Sequence, residues 1–553
     1  MLFTSVALFW GCLVEKWANP FFDNRRQGSL WQYFWTGLVV IGLLLSACGF
    51  IVALNGIIKS LIWTTLLLPV FIFREISGKL LKRVSLRLKN MGLAGWTLFG
   101  ITAGIGLIKS CGIPEIFDEG AYHLPLVRMW ETEGVVAGVA NLNGHYGLNS
   151  VWHLLSALAN LDFLPGFKTD MPLNGLLAAI LGLFAGSRLD VLLKQANKFR
   201  LSFCLAAFLP FFLFRNLLSS PSTDIPAIIA TWFIFVLWLE DLENNRQLSS
   251  NWILFLLLPV WIVTIKSSSA GMLLVAAGFL ITQVRKTDKK PLLAGILVSG
   301  LVLIPWLLQN WIMTGYAVFP IRLSAIGNPA WQVPIESINK KFYLEQFGAF
   351  APPSQYSMDW LRTWFSAQNP DSRVIILLAG IFLIWMPFQK FEGLPKKSLI
   401  YLYSIVLIQE TIWFFTITEP RYGFGALLFS ALIIPAIFLQ KMVLWKSQFR
   451  YVCILVIFAQ SFNLFKTTRE FYAQAGSIFT PAPAPSVSYH NIKCGNFTAS
   501  SPVAYETEVP AGKPVFCWDC PFPCVPLEGI SDSSHIFVSS VGIYPSFEYH
   551  DFK

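Results

Sequence analysis

The chain has 553 residues, of which 55% are hydrophobic and 13% charged, and it carries 48 Phe and 21 Trp. A soluble domain holds about 25% charged residues, so this composition excludes one and fits a polytopic membrane protein. The net charge of +10 would raise nucleic acid as a partner, but the placement of the basic residues argues against it.

Apolar runs that read as spans, taking about 15 to 23 residues as the range, fall near 2–13, 31–53, 57–73, 91–110, 171–187, 201–217, 225–240, 251–265, 270–284, 291–308, 373–389, 398–417, 424–440 and 451–465. They predict an all-α polytopic body of roughly 13 to 14 transmembrane helices. The first run is short like a signal-peptide core, but it lacks a basic start and a small-residue cleavage site and is read as a membrane segment. Basic residues cluster in alternate connections: Arg74 to Lys89, then Arg188, Lys194, Lys198 and Arg200, then Arg285 to Lys290, then Lys390, Lys396 and Lys397, then Lys441, Lys446 and Arg450. The positive-inside rule puts these on the cytoplasmic side. The other face then collects the 111–150 loop, the Ser219–Asp224 turn, Lys266–Ser269, the 309–372 loop, Glu419–Tyr422 and the tail from 466.

Two regions follow: a membrane body over 1–465, with large outer loops at 111–150 and 309–372, and an extracytoplasmic tail over 466–553. A Pro-Ala run near 481–485 reads as a semi-rigid linker. Beyond it, short alternating pieces such as His535–Ser540 predict strands in a small cap. Cys494, Cys517, Cys520 and Cys524 fall in this tail. An even number in an oxidising compartment favours two disulfides, with the pairing open. A metal knuckle is the alternative, since Cys517 and Cys520 have ligand spacing.

The densest polar stretch is 117–150, FDEGAYHLPLVRMWETEGVVAGVANLNGHYGLNS. Asp118, Glu119, Tyr122, His123, Arg128, His145 and the nearby His153 have little reason to gather beside a bilayer unless they meet a substrate. The alternative is a solvated connector. On a helix Asp118, Glu119, Tyr122 and His123 share one broad face. A carboxylate there can act as general base on a hydroxyl or hold a divalent cation against a phosphate, and His123 suits either role. Lys266 and Arg421 stand at outer ends of spans, where fixed positive charge would stabilise a phosphate leaving group; the alternative for Arg421 is snorkelling or pairing with Glu419. Asp224, between Pro221 and Pro226, reads first as a helix cap. P-loop, GxSxG and HExxH patterns are all missing from the sequence.

Phe117 to His123, Pro305 to Tyr316 with Phe319-Pro320, and Thr418-Glu419-Pro420-Arg421-Tyr422-Gly423 together resemble the GT-C superfamily of membrane glycosyltransferases. The nearest likeness is to a group of bacterial multipass proteins sharing a D-x-x-x-Y-H loop, an Asn-Ser pair like Asn149-Ser150 and a Cys-Trp-x-x-Pro-x-Pro-Cys tail. The resemblance covers most of the chain in short motifs. It implies sugar transfer from a polyprenyl-phosphate donor to an extracytoplasmic envelope glycan or lipid acceptor, in a bacterial inner membrane. It further implies Asp118 as the catalytic or metal-organising acid of an inverting transfer; Glu119 and His123 join it as catalytic candidates through the helix face they share. Arg421 and Lys266 would hold the lipid phosphate, and Tyr122, Arg128, Asn149, Asn310 and Glu419 would line the substrate. Two departures stand out: Gln309 replaces an Arg that usually precedes Asn310, and Glu419 replaces an Asp. An exporter or flippase, and a non-catalytic envelope scaffold, are the competing classes.

Overall fold

The computed structural model describes residues 2–22, 28–112, 118–161, 173–195, 214–243, 251–338, 358–388, 396–416, 418–441, 446–475, 489–494, 497–502, 536–539 and 542–545. The span expected at 201–217 as far as residue 213, together with Lys198, Arg200, Lys390, Cys517, Cys520 and Cys524, lies outside the described residues; of Cys494 only the backbone is described.

The body is helical. In chain order it contains α1 (Leu2–Ala18), α2 (Leu30–Gly49), α3 (Gly56–Ile72), α4 (Arg74–Lys89), α5 (Leu93–Ser110), α6 (Leu124–Thr132), α7 (Val151–Ala159), α8 (Leu173–Gln195), α9 (Asp224–Glu243), α10 (Leu258–Ile265), α11 (Leu273–Val284), α12 (Lys290–Thr314), α13 (Met358–Ala367), α14 (Pro370–Trp385), α15 (Lys396–Thr416), α16 (Pro420–Lys441) and α17 (Lys446–Ala475). Among the described residues seven helical stretches are long and apolar enough to cross a membrane, and an eighth is counted if α3 and α4, which meet at 87°, form one broken span. The protein is therefore a multi-pass membrane protein. Its outer faces agree: Leu293, Ile296, Leu297, Leu301, Ile304 and Leu308 of α12, and Ile454, Leu455, Phe458, Phe462 and Phe465 of α17, are all exposed. Such apolar belts suit lipid and not water.

Local chemistry explains several boundaries. The Ser29 side chain accepts from the Gln32 amide while Gln32 accepts from the Ser29 amide at 2.7 Å, a reciprocal box that starts α2. Asn55 starts α3 by accepting from the Ile58 amide at 3.1 Å. Gly315, at φ +85°, ends α12. The basic run 74–89, expected as a loop, is instead α4, a surface helix with Leu81 and Leu86 exposed beside its charges. Some helices meet backbone to backbone. A methyl group on Gly11 would strike the Tyr33 carbonyl, and one on Gly95 would lie 2.5 Å from the Gly186 carbonyl, so α1 with α2 and α5 with α8 pack as closely as chains allow.

The tail forms two antiparallel hairpins, β1 (Tyr489–Cys494) with β2 (Phe497–Pro502) and β3 (Ile536–Ser539) with β4 (Gly542–Pro545). The expected strand at His535–Ser540 coincides with β3. The backbone of β4 lies against the Val139–Asn141 turn of the body.

Candidate functional site

Segments far apart in sequence are tied together at one end of the bundle by side chains bonded to backbone. Asn174 on α8 donates to the carbonyls of Ser220 at 2.6 Å and Ser222 at 2.9 Å, and accepts from the Trp152 indole at 3.1 Å. Ser150 donates to the Ile265 carbonyl at 2.7 Å, at the end of α10. These bonds hold the 219–224 turn, the start of α7 and Lys266 in one neighbourhood. Asp118 enters from the other side, just before a single π-turn over Glu119–His123 that runs into α6. Such turns re-aim side chains that a regular helix would space differently.

Four charges converge there. Arg421, in the first turn of α16, places Nη2 2.6 Å from Asp118 Oδ2 and Nε 3.9 Å from Asp224 Oδ2. Lys266 Nζ pairs with Asp224 Oδ1. The Tyr422 ring lies under both cations, 3.6 Å from Lys266 Nζ and 4.8 Å from the Arg421 guanidinium carbon, and its hydroxyl accepts from Arg421 Nη2 at 2.9 Å. The side chain of Asp224 is 3% exposed, while those of Asp118 and Arg421 are 16% and 26% exposed, so the cluster has a closed floor and an open mouth. A void of about 10 Å³ beside Asp224, Lys266, Gln409 and Tyr422 has room for one water. Burial and the Asp118 charge hold the Tyr122 hydroxyl well above its ordinary pKa, so it stays a neutral donor.

The remaining expected site residues separate into groups. Glu119 is buried, which removes the solvated reading. His123 shares a 2.9 Å hydrogen bond between its Nδ1 and His153 Nε2. Burial, then the His153 neighbour, holds His123 well below its ordinary pKa, and burial pushes His153 down to about 3, so the pair is neutral near pH 7. His145 stacks on Tyr122 with ring centres 5.2 Å apart. Arg128 donates to Glu131 at 2.7 Å, and Glu131 also accepts from the buried Lys59 at 2.7 Å and from Asn160 at 2.9 Å, which clamps α6 to α3. Asn149 donates to Gln309 at 3.2 Å, and Gln309 donates to the Ser46 carbonyl at 3.0 Å. Asn310 donates to the Ala317 carbonyl at 3.0 Å and so shapes the turn after α12. Glu419 is exposed, and its carbonyl accepts from the Trp413 indole at 2.8 Å.

Asp224 and Tyr422 are the site residues that sequence reasoning ranked too low. Asp224 does begin a helix, α9, yet its carboxylate is turned to Lys266 and Arg421. The available signal was an acid on the same face as two span-end cations. Among the described residues no three His, Cys, Asp or Glu groups come together as a metal site. Both cluster carboxylates are already paired with cations, so these residues do not fit a metal.

A family model described as a domain of unknown function, DUF8201, matches residues 1–428. The chain belongs to the DUF8201 family. The match reaches from α1 into α16 and takes in every member of the charge cluster of this DUF8201 protein. No curated protein and no solved structure matches.

Proposed function

We propose that this DUF8201 chain is an inverting membrane glycosyltransferase of GT-C type, moving a sugar from a polyprenyl-phosphate donor to an extracytoplasmic envelope glycan or lipid acceptor in a bacterial inner membrane. The observation that carries the reading is the pairing of Asp118 with Arg421 beside Lys266 and Asp224, at the mouth of a membrane-embedded bundle. In this reading the acid and the two cations, close to one another, serve one substrate, the cations suiting a phosphate leaving group. In this reading Asp118 takes the proton of the acceptor hydroxyl as its oxygen attacks the anomeric carbon. The bond from that carbon to the donor phosphate breaks, its electron pair leaves with the phosphate, and Arg421 and Lys266 stabilise the polyprenyl phosphate released. Tyr122, held neutral, supplies a hydrogen-bond donor beside the acid.

A second reading, an exporter or flippase, is favoured by Glu410, a buried acid of α15 that accepts from Ser430 of α16. Acids inside spans often mark transport paths. Mass spectrometry of lipid-linked sugars and surface glycans from cells with wild-type protein, a deletion and Asp118→Asn separates the readings. Transfer predicts that deletion and point variant accumulate the same lipid-linked sugar and lose the same glycan. A point variant that behaves as wild type refutes the role of Asp118.

A further inference from the structure

The end of the bundle away from the charge cluster holds a second, unrelated cationic cavity. Its volume is about 250 Å³, and it is lined by Ser29, Trp31, Arg83, Arg87, Asn90 and Arg188. α2 starts at this cavity and runs 20 residues to Gly49, whose carbonyl accepts from Val135 near the charge cluster. At 1.5 Å per residue the two places are about 30 Å apart along that helix.

Each arginine is held differently. Arg83 donates to the Gly28 carbonyl at 2.7 Å and to the Tyr33 hydroxyl at 3.2 Å, bonds that fix its position without cancelling its charge. Arg188 lies over the Phe184 ring at 4.3 Å and pairs with Glu240, while its Nε is buried without a partner. Arg87 is exposed at the rim. Among the described residues Glu240 is the one carboxylate in direct contact with any of the three, while the buried Glu15, which accepts from the Gly28 amide, acts on Arg83 from further away and offsets part of its charge. Partial burial of its guanidinium end, and after it the Arg188 charge, hold Arg87 below its ordinary pKa, with Glu240 opposing. The start of α2 adds partial positive charge, and α4 brings Leu86, half exposed, to the same wall.

We infer that this cavity binds a phosphate group, with Arg83, Arg87 and Arg188 as its ligands. Guanidinium forks match phosphate oxygens in pairs. On the measure by which the 10 Å³ void beside Asp224 admits one water, this cavity is about 25 times larger, enough for a phosphate with its ester substituents. The group can arrive on an anionic phospholipid, whose chains would run along Leu86, or on a soluble phosphate.

The test uses full-length protein in nanodiscs and reads thermal unfolding. Discs of phosphatidylcholine alone are compared with discs containing increasing phosphatidylglycerol, and with phosphatidylcholine discs titrated with inorganic phosphate. Arg87→Gln, at an exposed position, is compared with Lys82→Gln on the same helix as a control for diffuse attraction. The melting temperatures of both variants in phosphatidylcholine alone should equal wild type and so show intact folding. A lipid ligand predicts that phosphatidylglycerol stabilises wild type and Lys82→Gln alike, while Arg87→Gln needs about tenfold more of it for the same effect. A soluble ligand predicts the same pattern with inorganic phosphate. Stabilisation by neither probe, or equal losses in Arg87→Gln and Lys82→Gln, overturns the inference.

Discussion

Lys59→Met is the sharpest test of how α6 is held to α3. Lys59 and Glu131 form a 2.7 Å ion pair with side chains 0% and 6% exposed. On the same broken helix pair, Lys79 and Glu75 form a 2.5 Å pair whose side chains are 76% and 81% exposed. The distances are alike and the surroundings opposite. Removing one partner of a buried pair costs about 3–5 kcal/mol because the other charge is stranded. Glu131 keeps Arg128 at 2.7 Å and Asn160 at 2.9 Å, so the expected loss is near the lower end, about 3 kcal/mol. Lys79→Met should change stability by under about 0.5 kcal/mol. Tryptophan-fluorescence unfolding in one detergent should show Lys59→Met melting roughly 3 °C below wild type and Lys79→Met unchanged. Lys59→Met with Glu131→Gln should recover part of the loss, since Arg128 is 22% exposed and can reach water. Equal effects of Lys59→Met and Lys79→Met would refute the argument that burial decides the outcome.

Arg421→Gln should lower transfer in a reconstituted assay by about 10²–10³, the range seen when one charge-stabilising donor is removed, and Arg421→Lys should recover only part because it cannot bridge Asp118 and Asp224 together; activity equal to wild type counts against the leaving-group role. Lowering pH should destabilise the protein from about pH 6.5 downward through the His123 and His153 pair, because the unfolded chain then binds protons that the buried pair, with His153 at about 3, refuses. The slope is at most about 1.4 kcal/mol per pH unit for each histidine, and unfolding of His123→Phe with His153→Leu measured between pH 4.5 and 7.5 should show a shallower dependence than wild type; identical slopes exclude the pair as the cause. Gly186→Val should drive its side chain into the Gly95 backbone and lower stability by about 1–3 kcal/mol, whereas Gly100→Val, with open space at its Cβ, should be near neutral on unfolding.

The helical body was legible because apolar run length and alternating basic connections are local properties of the chain, and each described run forms a helix. Asp118, Lys266 and Arg421 were legible for a related reason: each stands at a junction between an apolar stretch and a connection expected on one common face. What no local pattern carries is which junctions touch. Asp224 looks like a cap between prolines until Asn174, some 50 residues away, bonds its turn into place and Lys266 arrives from α10. The polarity of Arg128, Asn149 and Asn310 was legible, whereas their partners Glu131, Gln309 and the Ala317 carbonyl were not. The α3–α4 corner was hidden because a basic amphipathic helix and a basic loop have the same composition.

In the charge cluster two acids are paired with two bases, so the formal charges of its members cancel. Charges that cancel within a cluster send little long-range field into solution or along the membrane, and they steer an anionic molecule only weakly. Its capture is then an exchange of partners, in which the newcomer must displace a carboxylate already seated on a cation. Ionic strength should accordingly have little effect on how fast such a molecule arrives and more on how long it stays. Selection at this mouth would rest on which anion best replaces Asp118 at Arg421, and the displaced carboxylate is left free at the moment the exchange succeeds.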